Sequence, residues 1–392
     1  MPLQERRRTI KRFVAAAILC IVSFSVSLFI FDGLFVQYEN RFLVHDLSRM
    51  QSYDLRRLGY NDGNFYDRAV AKDVYRILSF GGSFTFGITR PEFTFNAYLR
   101  KDLGELVKDR RFEVLNLGRP GAGFHDMIEQ YSFWSQNIDY DAAVFTLYPG
   151  ANFEARPDAR PEPLRYGPGL FVPRHGMIRM FDYIATVASA ALALREEEGA
   201  VYFSAFPFPR DVYLQKMIAA SKPYQAQAYG RFEHGLANLF RLMRMARDQE
   251  RRGKRILIAV AGPHFLYAPT LYEAVLRGQG IGKEAIEPLL PGTVTRALAK
   301  AAGLNGAVFD LTPCLAARNN PGERLYYKTD THWSQEGNML VGELLAERMA
   351  ADWFGRGTAP ACGAQAPPPG SPLARFAQIE AQQVAQRAGA GE

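Results

Sequence analysis

The chain has 392 residues, of which 48% are hydrophobic, 22% charged and 13% aromatic, and this composition excludes a disordered or collagen-like protein. Three cysteines are too few for a disulfide scaffold, and their positions form no CxxC pair that would predict a zinc site. Residues 1–12 contribute +4 of the net charge of +7, so the rest of the chain is too weakly basic to predict nucleic-acid binding.

The first predicted element is an apolar helix at residues 13–31, with the sequence FVAAAILCIVSFSVSLFIF. As a helix this uncharged run extends roughly 28 Å, which matches the hydrocarbon core of a bilayer and predicts one transmembrane span. Basic residues precede the span, whereas Arg41 is the single basic residue within about fifteen positions after it. The positive-inside rule therefore predicts a cytoplasmic N-terminus, and we expect residues 1–36 to anchor an exported domain in the inner membrane.

A cleaved signal peptide is the alternative, because Ser25, Val26 and Ser27 form a small-x-small cleavage site. The apolar run continues past that site to Phe31, which favours the uncleaved anchor. Both interpretations export the domain, to the periplasm if the source is a Gram-negative bacterium. A disulfide between Cys314 and Cys362 is permitted in that compartment.

After a predicted linker at residues 37–71, strands and helices alternate through one domain at residues 72–354. The predicted strands cover residues 75–80, 112–117, 142–148, 255–260 and 307–311, and the predicted helices cover about 92–109, 124–137, 230–252 and 335–351. This alternation indicates an α/β fold with a parallel sheet covered by helices on both faces.

The alternation is interrupted at about residues 153–229, where prolines, aromatic residues and an Ala-rich helical piece near 181–196 predict an insertion over the ligand-binding edge of the sheet. Such an insertion either shapes substrate access or simply packs onto the core, and the sequence leaves both open. Residues 355–392 are rich in Ala, Pro and Gln, and they predict a largely disordered tail with a short helix near 373–387.

A serine lies in a Gly-rich turn, GGSFTFG at residues 81–87, at the end of the first predicted strand of the alternating pattern. The carboxyl ends of parallel strands form the ligand-binding edge of an α/β sheet, so this turn exposes Ser83 where a substrate binds. The turn lacks both the GK[ST] of a phosphate-binding loop and the GxGxxG of a dinucleotide site.

Three later segments are predicted at the same edge: GRPGAG at residues 118–123, YPGAN at residues 148–152 and DTHW at residues 330–333. A Gly-rich turn and an Asn amide can supply N–H donors to a developing oxyanion. A serine nucleophile needs a base to take its proton, and the base needs a carboxylate to fix its tautomer. The sequence therefore contains the parts of a Ser-His-Asp site.

Together GGSFTFG, NLGRPGAG, YPGAN and DTHW resemble the four blocks of the SGNH (GDSL-type) hydrolases. The resemblance implies a flavodoxin-like three-layer α/β/α fold, preceded here by the predicted transmembrane helix. It also implies Ser83 as nucleophile, His332 as general base and Asp330 as the carboxylate that orients this base. The Ser83 and Gly121 N–H groups and the Asn152 amide would form the oxyanion hole, without a metal or an organic cofactor.

Three departures from the family pattern bear on the resemblance, which covers about residues 72–350. Gly82 stands where the first block usually has Asp, and Phe153 stands where Asp often follows the Asn of the third block. The last block has Asp-x-His in place of Asp-x-x-His, similar to the DxHW of membrane-tethered proteins that acetylate or deacetylate bacterial polysaccharides. If Asp330 does not reach the imidazole, a Ser-His dyad with a backbone acceptor is the alternative.

The resemblance and the predicted export together imply a membrane-anchored serine esterase that acts on O-acyl or O-acetyl groups of an envelope glycan or glycolipid. One alternative is an O-acetyltransferase that works with a multi-span membrane acyl donor, because both reactions share the acyl-enzyme. The other is a catalytically silent subunit of an envelope complex. We expect the remaining histidines to be structural or surface residues, with His125 and His264 at most touching the substrate or a catalytic residue.

Overall fold

The computed structural model describes residues 51–56, 58–153, 208–318, 325–360, 362 and 367–390, together with scattered positions between 19 and 34. Most of the predicted anchor at residues 13–31 lies outside the described residues, and the positions of it that are described are helical. Among the described parts of the chain, no helix has the length and apolar character needed to cross a membrane. Residues 154–207, which make up most of the predicted insertion and include its Ala-rich piece, also lie outside the described residues.

A five-stranded parallel sheet forms the centre of the fold, as the alternating pattern predicts. Its strands are β3 (Val74–Gly81), β4 (Arg111–Asn116), β5 (Ala142–Leu147), β6 (Arg255–Val260) and β7 (Val308–Asp310), in the spatial order β4-β3-β5-β6-β7. The first sheet strand along the chain therefore has the second and third as its neighbours, which is the flavodoxin-like order. Ligands of such sheets bind at the carboxyl ends of the strands, between the first and third, here β3 and β5.

Helices cover both faces of this sheet. One face carries α3 (Phe124–Asn137), α6 (Glu233–Glu250), α8 (Leu290–Ala302) and α11 (Pro372–Ala390). The other carries α2 (Phe95–Leu106), α5 (Arg210–Ala220), α7 (Pro269–Gln279), α9 (Leu311–Arg318) and α10 (Gln335–Phe354). Two one-turn helices, α1 (Ser83–Phe86) and α4 (Pro149–Asn152), lie at the carboxyl ends of β3 and β5.

Burial on both faces explains why the strands consist of continuous apolar runs. In β5, Val144 packs into the cluster under one helical layer and Phe145 into the cluster under the other, because successive side chains point to opposite faces of a strand. Phe145 stacks on Phe80 of the neighbouring strand with ring centroids 5.4 Å apart. The sheet is thus fixed from both sides, and its carboxyl edge is a rigid support for loops.

The described part of the segment predicted as a linker forms regular structure. Its strands β1 (Ser52–Asp54) and β2 (Phe65–Asp67) form an antiparallel hairpin. Tyr53 and Tyr60 of this segment are buried, and Trp134 of α3 donates its indole N–H to the Tyr60 hydroxyl over 3.1 Å. Tyrosines bury a large apolar ring and leave a polar tip for such a bond, which is why a segment without a clear hydrophobic period packs onto the domain.

The C-terminal segment also differs from the predicted disordered tail. Helix α11 includes the short helix predicted near residues 373–387, but it packs against α6 and α8. Ala377, Ala381 and Val384 are buried in this contact, because residues three and four positions apart share one face of a helix. Before this helix, Cys362 forms a disulfide with Cys314 of α9.

Candidate active site

The Ser83 turn is held tightly against the sheet edge. Helix α1 begins at Ser83, directly after β3, and a Cβ at Gly81 would lie 2.0 Å from Thr85 Oγ1. A Cβ at Gly118 in the loop after β4 would lie 2.2 Å from the backbone nitrogen of Phe86. Both positions exclude any side chain, so glycine allows the β4 loop and the serine turn to pack backbone against backbone.

His332 lies in the loop before α10, which is closed by a bridge between Tyr326 and Trp333. Ser334 caps α10 by accepting the backbone N–H of Gly337 over 3.1 Å, as hydroxyl residues do at helix starts. The Phe84 ring, one residue after Ser83, lies 5.1 Å from the His332 ring and 4.8 Å from Trp333. The imidazole is therefore supported by aromatic packing.

The structure brings the predicted Ser, His and Asp side chains into one chain of hydrogen bonds. His332 Nε2 lies 2.7 Å from Ser83 Oγ. On the other side of the ring, His332 Nδ1 is hydrogen-bonded to Asp330 Oδ1, and the same oxygen accepts the backbone N–H of His332 over 3.0 Å. Asp330 therefore reaches the imidazole despite the short Asp-x-His spacing. This is the geometry in which an imidazole can take the serine proton.

Asn152 and the Gly-rich loop after β4 lie next to each other. Asn152 Oδ1 accepts the backbone N–H of Tyr148 over 2.6 Å, and Nδ2 donates to the Ala122 carbonyl over 3.0 Å. Because an amide nitrogen carries two hydrogens, one remains for another acceptor. Gly121 precedes Ala122 with φ of +76°, and a Cβ there would meet nothing within 4 Å. The loop that carries Gly121 thus contacts the Asn152 amide and presents Gly121 to open space.

Gly82, at the position where the family usually has Asp, lies next to the Asn152 amide. An ideal Cβ at Gly82 would lie 3.4 Å from the Ala122 carbonyl oxygen and 3.8 Å from Asn152 Nδ2. A side chain here would extend across the space in front of the Asn152 amide. The glycine therefore places no side chain in front of this amide, and the hydrogen bonds of Ser83, His332 and Asn152 do not depend on the missing carboxylate.

Buried polar side chains lie behind Asp330. Burial raises the pKa of Tyr148 above its ordinary value, and the charge of Asp330 raises it further. His264 is buried, its Nδ1 is hydrogen-bonded to the Tyr213 hydroxyl, and its ring stacks on Tyr326 at 4.9 Å. Burial lowers the pKa of His264 to about 4, so this imidazole is neutral at pH 7. By contrast, the His125 side chain is 45% exposed and lies 3.4 Å from Glu129 on the same helix.

Sequence reasoning missed Asn61, whose side-chain amide contacts the backbone just after the serine turn. In the sequence, Asn61-Asp62-Gly63 has the composition of an ordinary turn, and no motif in this segment predicts a contact with the turn at residue 83.

In the described residues no group of three or more His, Cys, Asp or Glu side chains is arranged to hold a metal ion.

A comparison with models of protein families points to the same family. Residues 225–388 match the family model described as the SGNH hydrolase-like domain of acetyltransferase AlgX. This stretch contains the Asp330 and His332 loop but not the Ser83 turn. A comparison with curated proteins finds no match. The family match confirms the resemblance to SGNH hydrolases inferred from the sequence motifs.

Solved structures of low sequence identity also match. A putative lipolytic protein of the G-D-S-L family from Desulfitobacterium hafniense DCB-2 is 14% identical, with 69% of this chain and 97% of that chain covered and a TM-score of 0.30. The lipase/acylhydrolase from Enterococcus faecalis is 13% identical, with 70% and 95% covered and a TM-score of 0.32. Axe2, an acetylxylan esterase from Geobacillus stearothermophilus, is 13% identical, with 73% and 93% covered and a TM-score of 0.26.

Proposed function

We propose that this chain is an extracytoplasmic serine enzyme that cleaves or transfers O-acyl groups, above all O-acetyl groups, of a cell-envelope glycan or glycolipid. The observation that carries the proposal is the contact of 2.7 Å between Ser83 Oγ and His332 Nε2, continued through the hydrogen bond from the imidazole to Asp330. The match of residues 225–388 to an SGNH hydrolase-like acetyltransferase domain supports acyl chemistry at this site.

In the first half-reaction His332 Nε2 takes the proton of Ser83 as its Oγ attacks the ester carbonyl carbon. The charge of Asp330 stabilises the imidazolium that forms. The Ser83 and Gly121 N–H groups and the free hydrogen of the Asn152 amide hold the oxyanion. When the tetrahedral intermediate collapses, the imidazolium protonates the leaving alcohol, and the acyl group stays on Ser83.

In the second half-reaction a hydroxyl compound attacks the acyl-Ser83 ester while His332 takes its proton. The second tetrahedral intermediate collapses by breaking the bond to Ser83 Oγ, and the imidazolium returns the proton to Ser83. Water as the acceptor gives an esterase, and a sugar hydroxyl gives a transferase. The family model that matches residues 225–388 is that of an acetyltransferase domain. This match favours acyl transfer as the second candidate function, with a membrane acyl donor as the partner. The two are separated by measuring whether the purified protein moves acetyl faster to a sugar acceptor than to water.

The proposed compartment and substrate rest on the anchor predicted at residues 13–31. A single span with basic residues on its N-terminal side would keep the domain at the outer face of the inner membrane, where acylated glycans and glycolipids are among the esters within its reach. A disulfide between Cys314 and Cys362 suits an oxidising compartment. In this proposal the protein needs no metal and no organic cofactor, because the serine, imidazole and amide groups supply the whole reaction.

The proposal is tested by hydrolysis of a short-chain aryl ester and by labelling with a fluorophosphonate, which reacts with activated serines. We expect Ser83→Ala to abolish both, and His332→Ala to lower kcat by at least ~10³-fold, because members of a triad act as a unit. Ser132→Ala is the matched control, since Ser132 lies on α3 and its described contacts are local. A wild-type protein whose hydrolysis and labelling do not depend on Ser83 and His332 would contradict the proposal, and a wild-type protein with neither activity would support the silent envelope subunit.

A further inference from the structure

We propose that Asn61 is a positioning residue that holds the nucleophile turn in register with His332. The inference rests on the proposed role of Ser83 as nucleophile. Asn61 lies between β1 and β2, and the strands β2 and β3 separate it from Ser83 along the chain. It touches no reacting atom, and it acts through the backbone of the turn that carries the serine.

The turn needs partners from outside because helix α1 is a single turn. The Gly87 N–H bonds to the Ser83 carbonyl over 2.9 Å and closes the helix. The last carbonyls of a helix have no intrahelical donors, and in so short a helix these are most of its carbonyls. Gly87 itself has φ of +75°, so the chain turns sharply here and directs its next carbonyls away from the helix axis.

Side-chain amides supply the missing donors. Asn61 Nδ2 lies 3.0 Å from the Phe86 carbonyl oxygen, 2.9 Å from that of Gly87 and 2.9 Å from that of Thr89. Two amide hydrogens serve three oxygens, so at least one hydrogen is shared. Asn116 Nδ2 at the end of β4 donates to the Phe86 carbonyl over 3.0 Å as well. Asn61 is therefore the side chain that gathers the carbonyls on both sides of Gly87.

Asn61 can hold the turn because its own backbone is fixed. Its carbonyl accepts Asn116 Nδ2 over 2.9 Å. The next residue, Asp62, is buried and accepts the Asn116 backbone N–H and the Tyr66 hydroxyl, each over 3.0 Å. The preceding residue, Tyr60, is fixed by Trp134. The hairpin segment is thus joined to β4 and α3, and it presents the Asn61 amide from a rigid frame.

The position of the turn determines the distance between Ser83 Oγ and His332 Nε2. Ser83 and His332 come from separate elements, and their contact of 2.7 Å lies within the narrow range that permits proton transfer. A shift of Phe86 and Gly87 passes to Ser83 through the bond between the Gly87 N–H and the Ser83 carbonyl. A misplacement of about 1 Å can cost about 100-fold in rate. Loss of the Asn61 amide should therefore slow acylation without removing substrate contacts.

The test compares Asn61→Ala with Asn64→Ala in the otherwise intact protein. Asn64 lies in the same loop, but its side-chain amide donates to Asp62 Oδ1 over 2.7 Å and not to the nucleophile turn. For Asn61→Ala we expect kcat on the aryl ester to fall about 10- to 100-fold, with KM within about threefold of wild type. The rate of fluorophosphonate labelling should fall in parallel, while the labelled fraction at the end point stays at the wild-type value. Asn64→Ala should keep both rates.

These two readouts separate a positioning role from a stabilising one. A mispositioned serine is labelled slowly but completely, whereas in a destabilised protein the folded molecules are labelled at the normal rate and the unfolded molecules are not labelled. Wild-type rates in Asn61→Ala, or a loss confined to the labelled fraction, would overturn the proposal. If the alanine variant does not fold, Asn61→Ser, which keeps one short donor, is judged by the same two readouts. A wild-type protein without Ser83-dependent labelling would contradict the proposed function itself, and the inference would fall with it.

Discussion

At Asp330 one carboxylate oxygen accepts two hydrogen bonds, from the His332 imidazole and from the His332 backbone N–H. The second bond links a side chain to the backbone two residues on, which is the Asx pattern that Asp forms readily in turns. The short Asp-x-His spacing is therefore an advantage here, because the local turn orients the carboxylate before the imidazole meets it. The same oxygen then fixes a proton on Nδ1 and leaves Nε2 free to accept the serine proton.

The substitution Asp330→Asn tests this orientation. The amide can present its NH₂ group to Nδ1, which would place the ring proton on Nε2 and block proton transfer from Ser83. We expect kcat on the aryl ester to fall by about 10³- to 10⁴-fold, as for other triads that lose the carboxylate. Thr331→Val is the control. The Thr331 hydroxyl lies 3.5 Å from Nδ1, which is at the limit of a hydrogen bond, so this variant should keep a kcat near that of the wild type. An Asn variant with wild-type kcat would favour the Ser-His dyad with a backbone acceptor.

The elements of the sheet could be predicted because burial on both faces gives them an apolar signature. Strands β3 to β7 lie within two residues of their predicted bounds. The starts of α3 and α10 also coincide with their predicted starts at residues 124 and 335. Strands of a covered parallel sheet need apolar side chains on both faces, and this need is visible without knowledge of their neighbours.

Other elements could not be predicted because their burial depends on a distant surface. Helix α8 begins with Leu290-Pro291-Gly292, which resembles a loop in sequence. In the fold, Pro291 lies in the first turn, where proline is tolerated. A Cβ at Gly292 would lie 1.9 Å from Asp310 Oδ2, so this glycine makes room for a carboxylate from the end of β7. Nothing near residue 292 in the sequence indicates that partner.

The residues of the candidate site also differ in whether a local sequence pattern reveals them. Ser83, Asn152, Asp330 and His332 could be found because each stands in a short motif at the end of a predictable strand or the start of a predictable helix. Asn61 could not, because its contacts with Phe86, Gly87 and Thr89 span at least 25 residues. A residue that acts by reaching a distant backbone leaves no local pattern.

The disulfide between Cys314 and Cys362 joins α9 to the segment that follows α10. It closes a loop with a sequence separation of 48, and closing a loop of this size restricts the unfolded chain by up to about 4 kcal/mol. We expect Cys362→Ser to lower the free energy of unfolding by about 2–4 kcal/mol in urea titrations. Reducing agent should destabilise the wild type but not the variant. Equal stabilities of oxidised wild type and variant would show that the bond does not constrain the unfolded chain.

At the scale of the whole molecule, two buried groups give stability opposite dependences on pH. Burial raises the pKa of Asp310 from its ordinary 3.8 to about 6, so the folded protein favours the neutral carboxyl. The stability that this provides is complete below about pH 4 and is lost as the pH rises to about 6. His264, with its pKa lowered from 6.5 to about 4, favours the neutral imidazole. Its contribution is complete above about pH 6.5 and is lost as the pH falls to about 4.

Each group is worth up to about 3 kcal/mol across this window, and because their slopes have opposite signs, they largely cancel in the wild type. Asp310→Asn removes the titrating carboxyl but keeps an oxygen for the Thr312 backbone N–H, which Asp310 Oδ1 accepts over 2.9 Å. Relative to wild type, the free energy of unfolding of this variant should rise between pH 4.5 and pH 7.5. His264→Asn, which keeps a polar atom for the Tyr213 hydroxyl, should show the opposite change. Urea unfolding at the two pH values measures both differences. If the free energy of unfolding changed with pH in each variant as it does in the wild type, the pKa values of Asp310 and His264 would not differ between the folded and unfolded states.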